Sequence, residues 1–223
     1  MADIEERDSG PTRAIPEPTL RRLPIYYQYL KKTQAEKGSE YISSTQIGND
    51  LNILPIQVRK DLEIAEAAGK PKLGYDVTDL IRTIEAFLGW NNTTEGFLVG
   101  VGNLGSALLG YQGFREYGLD LIAAFDTDAH KVGREVHGKV VLHVSKLPSM
   151  VKRMGVKIGV LTVPAISAQP LADIMVKAGV RAIWNFSPVK INVPPHVIVQ
   201  HENLASSLVV LSRKLTDALK VRV

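Results

Sequence analysis

Gly100, Gly102 and Gly105 stand in the spacing G-x-G-x-x-G, entered by the apolar run Phe97-Leu-Val99 and left by a helical pattern. That arrangement cradles phosphate: Gly100 permits the tight turn out of a strand, Gly102 lets backbone approach a pyrophosphate, and Gly105 lets the next helix pack close to the sheet. The helix N-terminus then offers free N–H groups to the anion. Val101, Asn103 and Leu104 complete the loop. Glycine-rich turns also occur without ligands, so the surrounding residues decide. Asp126 stands 21 positions beyond Gly105 at the end of the next apolar run, the offset at which a dinucleotide site places the carboxylate for its ribose diol. A carboxylate there repels a 2′-phosphate and favours NAD(H) over NADP(H), a preference tempered by Lys131 and Arg134 nearby.

In an open parallel sheet the ligand lies beyond the carboxyl ends of the strands. The loops Thr162-Val163-Pro164-Ala165 and Asn185-Phe186-Ser187-Pro188 fill those places and mix small apolar groups with hydrogen-bonding ones, which suits a nicotinamide ring. Phe186 reads equally well as core. A dehydrogenase needs a proton donor beside the ring. Tyr27 and Lys31 have a suggestive spacing but precede the glycine loop, and His130, His137, His143, His196 and His201 are scattered away from both loops. No His/Asp/Glu spacing suggests a metal site. No catalytic residue emerges, and the chain reads as one that holds NAD(H) without turning it over. The alternative is a small NAD-dependent oxidoreductase with an N-terminal accessory domain.

The elements that must position these residues follow from periodicity. Apolar runs at 119–125, 158–163, 182–186 and 197–199 are separated by helical stretches, which predicts an α/β fold with a Rossmann-type parallel sheet over 90–202. Residues 1–18 carry Pro11, Pro16 and Pro18 among charges and read as a mobile tail. From Thr19, taken as an N-cap, Leu20, Leu23, Tyr26, Tyr27 and Leu30 recur at helical spacing up to Gly38, with Pro24 tolerable near the first turn. A short helix after Ser43 and Ser44, a turn at Asn52-Ile-Leu54, and a helix from Pro55 to Ala68 suggest a helix-turn-helix. Gly69 to Tyr75 then reads as a wing, Val77 to Leu88 as another helix, and 19–89 as a winged helix-turn-helix domain. Arg59 and Lys60 on the third helix, with Lys70 and Lys72 on the wing, are placed to meet a groove and its flanking phosphates. Charges that merely solvate a helix face are the equal alternative.

Leu204, Leu208, Leu211, Leu215 and Leu219 follow helical spacing, and Val209 and Val210 widen the apolar surface. The 203–223 helix therefore reads as a dimerisation element or as one packed on its own sheet. The 223 residues are 45% hydrophobic and 22% charged with a net charge of +4, an ordinary globular balance. There are no cysteines, which excludes disulfides and thiolate metal sites. No apolar run reaches the ~18 residues of a membrane helix, and the acidic N-terminus is unlike a signal peptide, so a cytoplasmic location is expected.

From Arg22 to about Leu215 the chain resembles the bacterial redox-sensing transcriptional repressor family Rex. The resemblance rests on Arg22-Leu-Pro-Ile-Tyr-Tyr27, Gln57-Val-Arg-Lys-Asp-Leu62, Gly74-Tyr75, Gly100 to Gly105, Phe125-Asp126, Leu161-Thr-Val-Pro-Ala165 and Asn185-Phe-Ser-Pro188. It implies a homodimer that binds double-stranded, palindromic operator DNA and releases it when NADH binds, with the terminal helix exchanged between subunits. Gly100 to Gly105 would hold pyrophosphate, Asp126 the adenosine ribose, and Val163, Pro164, Ala165, Asn185 and Phe186 the nicotinamide end. Ser44, Gln57, Arg59, Lys60, Lys70 and Lys72 would face DNA. The family's segment Ser-Tyr-Phe-Gly after the recognition helix is replaced by Glu63-Ile-Ala-Glu66. Its coupling set of Arg, Tyr and Asp becomes Gln28, Tyr111 and Asn203. An ion pair has turned into two amides, so an altered NADH response is expected.

Overall fold

The computed structural model describes residues 15–38 and 40–220, and the chain divides into two compact units, Met1–Asn91 and Asn92–Val223. Of the expected tail, residues 1–14 lie outside the described residues, and Glu17 and Pro18 already belong to a helix. That helix, α1 (Glu17–Lys37), has Pro16 and not Thr19 at its N-cap. Pro24 consequently lies beyond the first turn. The helix continues through it because Leu23, Tyr26 and Leu30 are fully buried, and packing of that face outweighs one lost N–H.

After β1 (Tyr41–Ile42) comes α2 (Ser44–Leu51), whose N-cap Ser43 accepts from the Gln46 N–H at 3.1 Å. Asn52 turns the chain in the left-handed region at φ 55°, and α3 (Pro55–Ile64) follows. It stops short of Ala68 because Glu66 is left-handed, at φ 62°. The Ala67 N–H donates to Leu62 O at 2.9 Å and the Glu66 N–H to Glu63 O at 3.1 Å, the paired bonds that close a helix end. Next, β2 (Tyr75–Asp76) pairs antiparallel with β1. Just before it, Lys70 and Gly74 form a bridge with Lys72 at the turn, φ 66°, so the expected wing is a very tight one. The unit closes with α4 (Val77–Phe87), capped by Asp76 and burying Leu80, Ile81 and Ile84.

The second unit opens with β3 (Thr94–Val99) and α5 (Asn103–Gly110), followed by a short 3-10 helix and β4 (Leu119–Asp126). The hairpin β5 (Glu135–Val136) and β6 (Lys139–His143) was not expected from sequence, since its apolar residues are few and bracketed by charge. Then come α6 (Leu147–Met154), β7 (Ile158–Leu161), α7 (Ala165–Ala178), β8 (Ala182–Asn185), β9 (Ile198–His201) and α8 (Leu204–Lys220). The sheet order is β5-β6-β4-β3-β7-β8-β9, parallel except for the β5–β6 edge. Without that edge strand, the order of the parallel strands is third, second, first, fourth, fifth, sixth, that of dinucleotide-binding sheets. Four consecutive buried residues, Phe97 to Val99 with Gly96, make β3 the central strand. Among the described residues, no helix is long and apolar enough to cross a membrane.

One buried side chain ties α1 to α3. Asp61 is 0% exposed, and its carboxylate accepts from Thr19 Oγ1 at 2.8 Å, Arg22 Nε at 2.6 Å and Nη2 at 2.8 Å, Tyr26 OH at 2.8 Å and Gln57 Nε2 at 3.0 Å. Thr19, read from sequence as a cap, thus spends its hydroxyl on a contact 42 residues away. Burial pushes the Asp61 carboxyl up, but the hydrogen bonds from Arg22, Tyr26, Thr19 and Gln57 outweigh it and hold the group below the usual carboxylate range. A depressed carboxylate contributes its full stability above the ordinary value of about 4 and loses it as pH falls through its own lower value. Asp61→Asn is expected to destabilise this unit by about 3 kcal/mol at neutral pH, with a smaller difference from the parent chain below about pH 4. Urea unfolding followed by amide exchange of α1 and α3 checks both.

Candidate functional site

The carboxyl ends of β3, β4 and β7 converge where the strand order reverses, and a cleft of about 180 Å³ opens there. Its lining includes Gly100 and Gly102 after β3, Asp126, Thr127 and Lys131 after β4, and Thr162, Val163 and Pro164 after β7. Gly100 sits at φ 100°, where any side chain is strained. A Cβ on Gly105 would strike the Gly100 carbonyl and come within 2.7 Å of Thr162 Oγ1. A Cβ on Gly102 would meet nothing within 4 Å. Two glycines are therefore demanded by the fold and the third leaves a cradle beside the start of α5, which fits a pyrophosphate laid against free N–H groups. Thr162 Oγ1 donates to Gly100 O at 2.6 Å and locks the turn.

Asp126 also lines the cleft and is 7% exposed. Its Oδ2 accepts from the Val101 N–H at 2.7 Å and from Lys131 Nζ at 3.1 Å, and its Oδ1 accepts from the Asp128 N–H at 2.9 Å. Burial pushes this carboxyl up, but the Asp128 and Val101 N–H groups and the Lys131 ammonium more than offset it, so it stays charged below the usual range. Val101 therefore serves the loop through its backbone. Asn103, Leu104 and Ala165 are not part of the lining, though α5 starts at Asn103 and α7 at Ala165.

Asn185 and Phe186 stand at the carboxyl end of β8, where the loop reading puts them, and are not part of the lining of the cleft. Asn185 is fully buried, its Oδ1 accepting from Ser187 N–H at 3.0 Å and its Nδ2 lying 2.9 Å from both Val189 O and His201 Nδ1. Its amide builds the turn after β8. Phe186 packs on Trp184, with ring centroids 4.8 Å apart, and Trp184 on Phe114 at 5.4 Å. Sequence reasoning did not single out Thr127, Val144, Ser167 and Leu171, which also line the cleft. No spacing rule reaches them, because they come from several elements brought together only by the sheet.

In the first unit, Arg59 and Lys60 are exposed on the outer face of α3, opposite buried Val58, Asp61 and Leu62. Arg59 pairs loosely with Glu63 at 3.5 Å. Ser44 begins α2, while the Gln57 amide points to Asp61. Lys70 Nζ donates to Tyr41 OH at 2.6 Å and lies over its ring, and Lys72 is exposed at the wing tip. Of the three expected coupling residues, Gln28 is on the exposed side of α1. Tyr111 is 56% exposed, and Asn203 Oδ1 accepts from the Ala205 N–H at 3.1 Å, as a cap for α8.

A family profile described as "CoA binding domain" matches residues 91–189, and one described as "Putative DNA-binding protein N-terminus" matches 14–63. A redox-sensing transcriptional repressor Rex from Treponema denticola is 52% identical over 194 residues, covering 87% of this chain and 92% of the relative. The chain belongs to the Rex family. The Rex of Bacteroides fragilis is 42% identical over 212 residues, 95% of this chain and 94% of that one. The Rex-family repressor RSP, solved in complex with β-NAD⁺ and operator DNA, is 30% identical with a TM-score of 0.87 and covers 95% of this chain and 97% of its own. RSP in complex with β-NADH matches at a TM-score of 0.84, with 95% of this chain and 98% of RSP covered. The oxidoreductase alternative gives way, because Rex relatives matched along both units carry a repressor's name.

Two glycine variants separate cradle from fold in this Rex chain. Gly105→Ala is expected to lower the stability of the second unit by about 1–3 kcal/mol through overpacking. Gly102→Ala should leave the melting temperature nearly unchanged while weakening NADH binding, measured by calorimetry.

Proposed function

We infer that this Rex-family chain is a transcriptional repressor that binds a palindromic operator as a homodimer and releases it when NADH occupies the cleft of the second unit. The observation that carries the reading is one chain holding both a switch-point cleft with its glycine cradle and buried Asp126, and a helix-turn-helix with Arg59 and Lys60 on its open face. Gly100 to Gly105 would hold the pyrophosphate, Asp126 a ribose hydroxyl, and Val163 and Pro164 the ring end.

The bound dinucleotide supplies the redox signal, since the oxidised nicotinamide is a cation and the reduced one is neutral. Val163, Pro164 and Leu171 give part of the cleft an apolar wall, which disfavours the charged ring through desolvation. Preference for NADH follows from that wall. The homodimer reading is supported by α8, on which Leu208, Val209, Val210, Leu211, Leu215 and Leu219 are all exposed. A single subunit leaves that apolar surface in water, and a second copy would bury it. Helix α8 ends at Lys220, and residues 221–223 of the expected swapped segment lie outside the described residues. The repressor would act in the cytoplasm.

Fluorescence anisotropy on an operator duplex selected from random sequence tests the reading. NADH should lower operator affinity more than NAD⁺ does, and release that is blind to both dinucleotides would overturn it. Arg59→Ala should weaken binding and reduce the slope of log K against log salt by about one. In Gln28→Arg/Asn203→Asp, the same titration should show sharper NADH release if the two amides weaken coupling.

A further inference from the structure

The ribose end of the cleft contains a cation whose role the glycine motif does not explain. A carboxylate offers about four lone-pair sites. On Asp126, the Val101 N–H and Lys131 Nζ both use Oδ2, and the Asp128 N–H uses Oδ1. About one acceptor site is left, on Oδ1. Asp126 can therefore take one hydroxyl of a ribose diol while its present bonds persist, and a second hydroxyl must find another partner. Lys131 is the basic side chain among those lining the cleft, and its ammonium stands 3.1 Å from Asp126 Oδ2. Its backbone N–H donates to Asp128 O at 3.0 Å, and the same turn is fastened by the His130 N–H on Asp128 Oδ1 at 2.9 Å. The ammonium carries three donors. It makes one hydrogen bond, to Asp126, and stands 3.9 Å from Asp128 Oδ2. Its side chain is 39% exposed, so donors remain available on the cleft side. Arg134, also near in sequence, is exposed and is not part of the lining.

We propose that Lys131 is a second ligand of the adenosine ribose, donating to one hydroxyl oxygen while Asp126 accepts from the other. This rests on the reading that the cleft holds a dinucleotide. The pair forms a donor–acceptor clasp, so the diol is bound without displacing the cation. The same geometry sets discrimination at the 2′ position. A lone Asp126 would repel a 2′-phosphate outright, whereas the ammonium beside it neutralises part of that charge. Lys131 thereby tightens NAD(H) and softens the exclusion of NADP(H).

Calorimetric titration of the full chain with NADH and NADPH, on the parent, Lys131→Met and Lys131→Arg, tests this. Lys131→Met keeps the length of the stem and removes the donors. It is expected to raise the Kd for NADH about ten-fold, the loss of one hydrogen bond to a charged group. It should raise the Kd for NADPH by more, so the NADPH/NADH ratio widens, and Lys131→Arg should stay near the parent. A purely structural ion pair would lower the melting temperature of Lys131→Met and leave the Kd for NADH in place, which would overturn the proposal. Weakened NADH binding with an unchanged or narrowed ratio overturns its charge element. A parent chain that binds neither dinucleotide instead sinks the underlying assignment of the cleft.

Discussion

A carboxylate withdrawn from water must recover its hydrogen bonds from the protein, and each unit of this chain is arranged around one that does. Asp61 recovers them from four side chains on α1 and α3. Asp126 recovers them from two backbone N–H groups and a lysine. Both remain charged because donors outnumber what burial takes away. The two arrangements serve different ends. Asp61 has no exposed face and stitches a helix carrying Arg59 and Lys60 to the longest helix of its unit, so the outer face of α3 is presented by a rigid frame. Asp126 lines a cleft and keeps acceptor capacity in reserve.

The glycine loop owes its shape to contact as well as to conformational freedom. Gly100 is left-handed, Gly105 leaves no room for a Cβ against the Gly100 carbonyl, and Thr162, just after β7, bonds that same carbonyl. The cradle is thus secured on both sides of the switch point, and Gly102 is the position left open. This division explains how three identical residues in one short motif have unequal roles, two in holding the fold and one in leaving room for a ligand.

Several residues that match the family pattern by type also make contacts that hold the fold. The Gln57 amide is bound to Asp61, so it supports α3 from behind. Asn185 is buried and shapes the turn after β8, and Phe186 continues an aromatic stack with Trp184 and Phe114. Polar side chains next to a loop are drawn inward when a backbone carbonyl there lacks a partner, and this preference leaves no trace in residue spacing.

Local chemistry, read without coordinates, determined the glycine motif, the Asp126 offset, the main parallel strands, the helix-turn-helix and the apolar stripe on the terminal helix, whose exposure only the structure decided. Each follows from periodicity or from a fixed spacing within one or two elements. Only tertiary structure decided that α1 is capped by Pro16 and runs through Pro24, because Leu23, Tyr26 and Leu30 are buried along that face and the Thr19 hydroxyl bonds Asp61, 42 residues away. Likewise, Lys131 was visible as a nearby charge, but its position on Asp126 and in the cleft lining depends on the turn that follows β4. Propensity and spacing act over a few residues, whereas burial and hydrogen-bond satisfaction are settled among neighbours that the chain brings together only when folded.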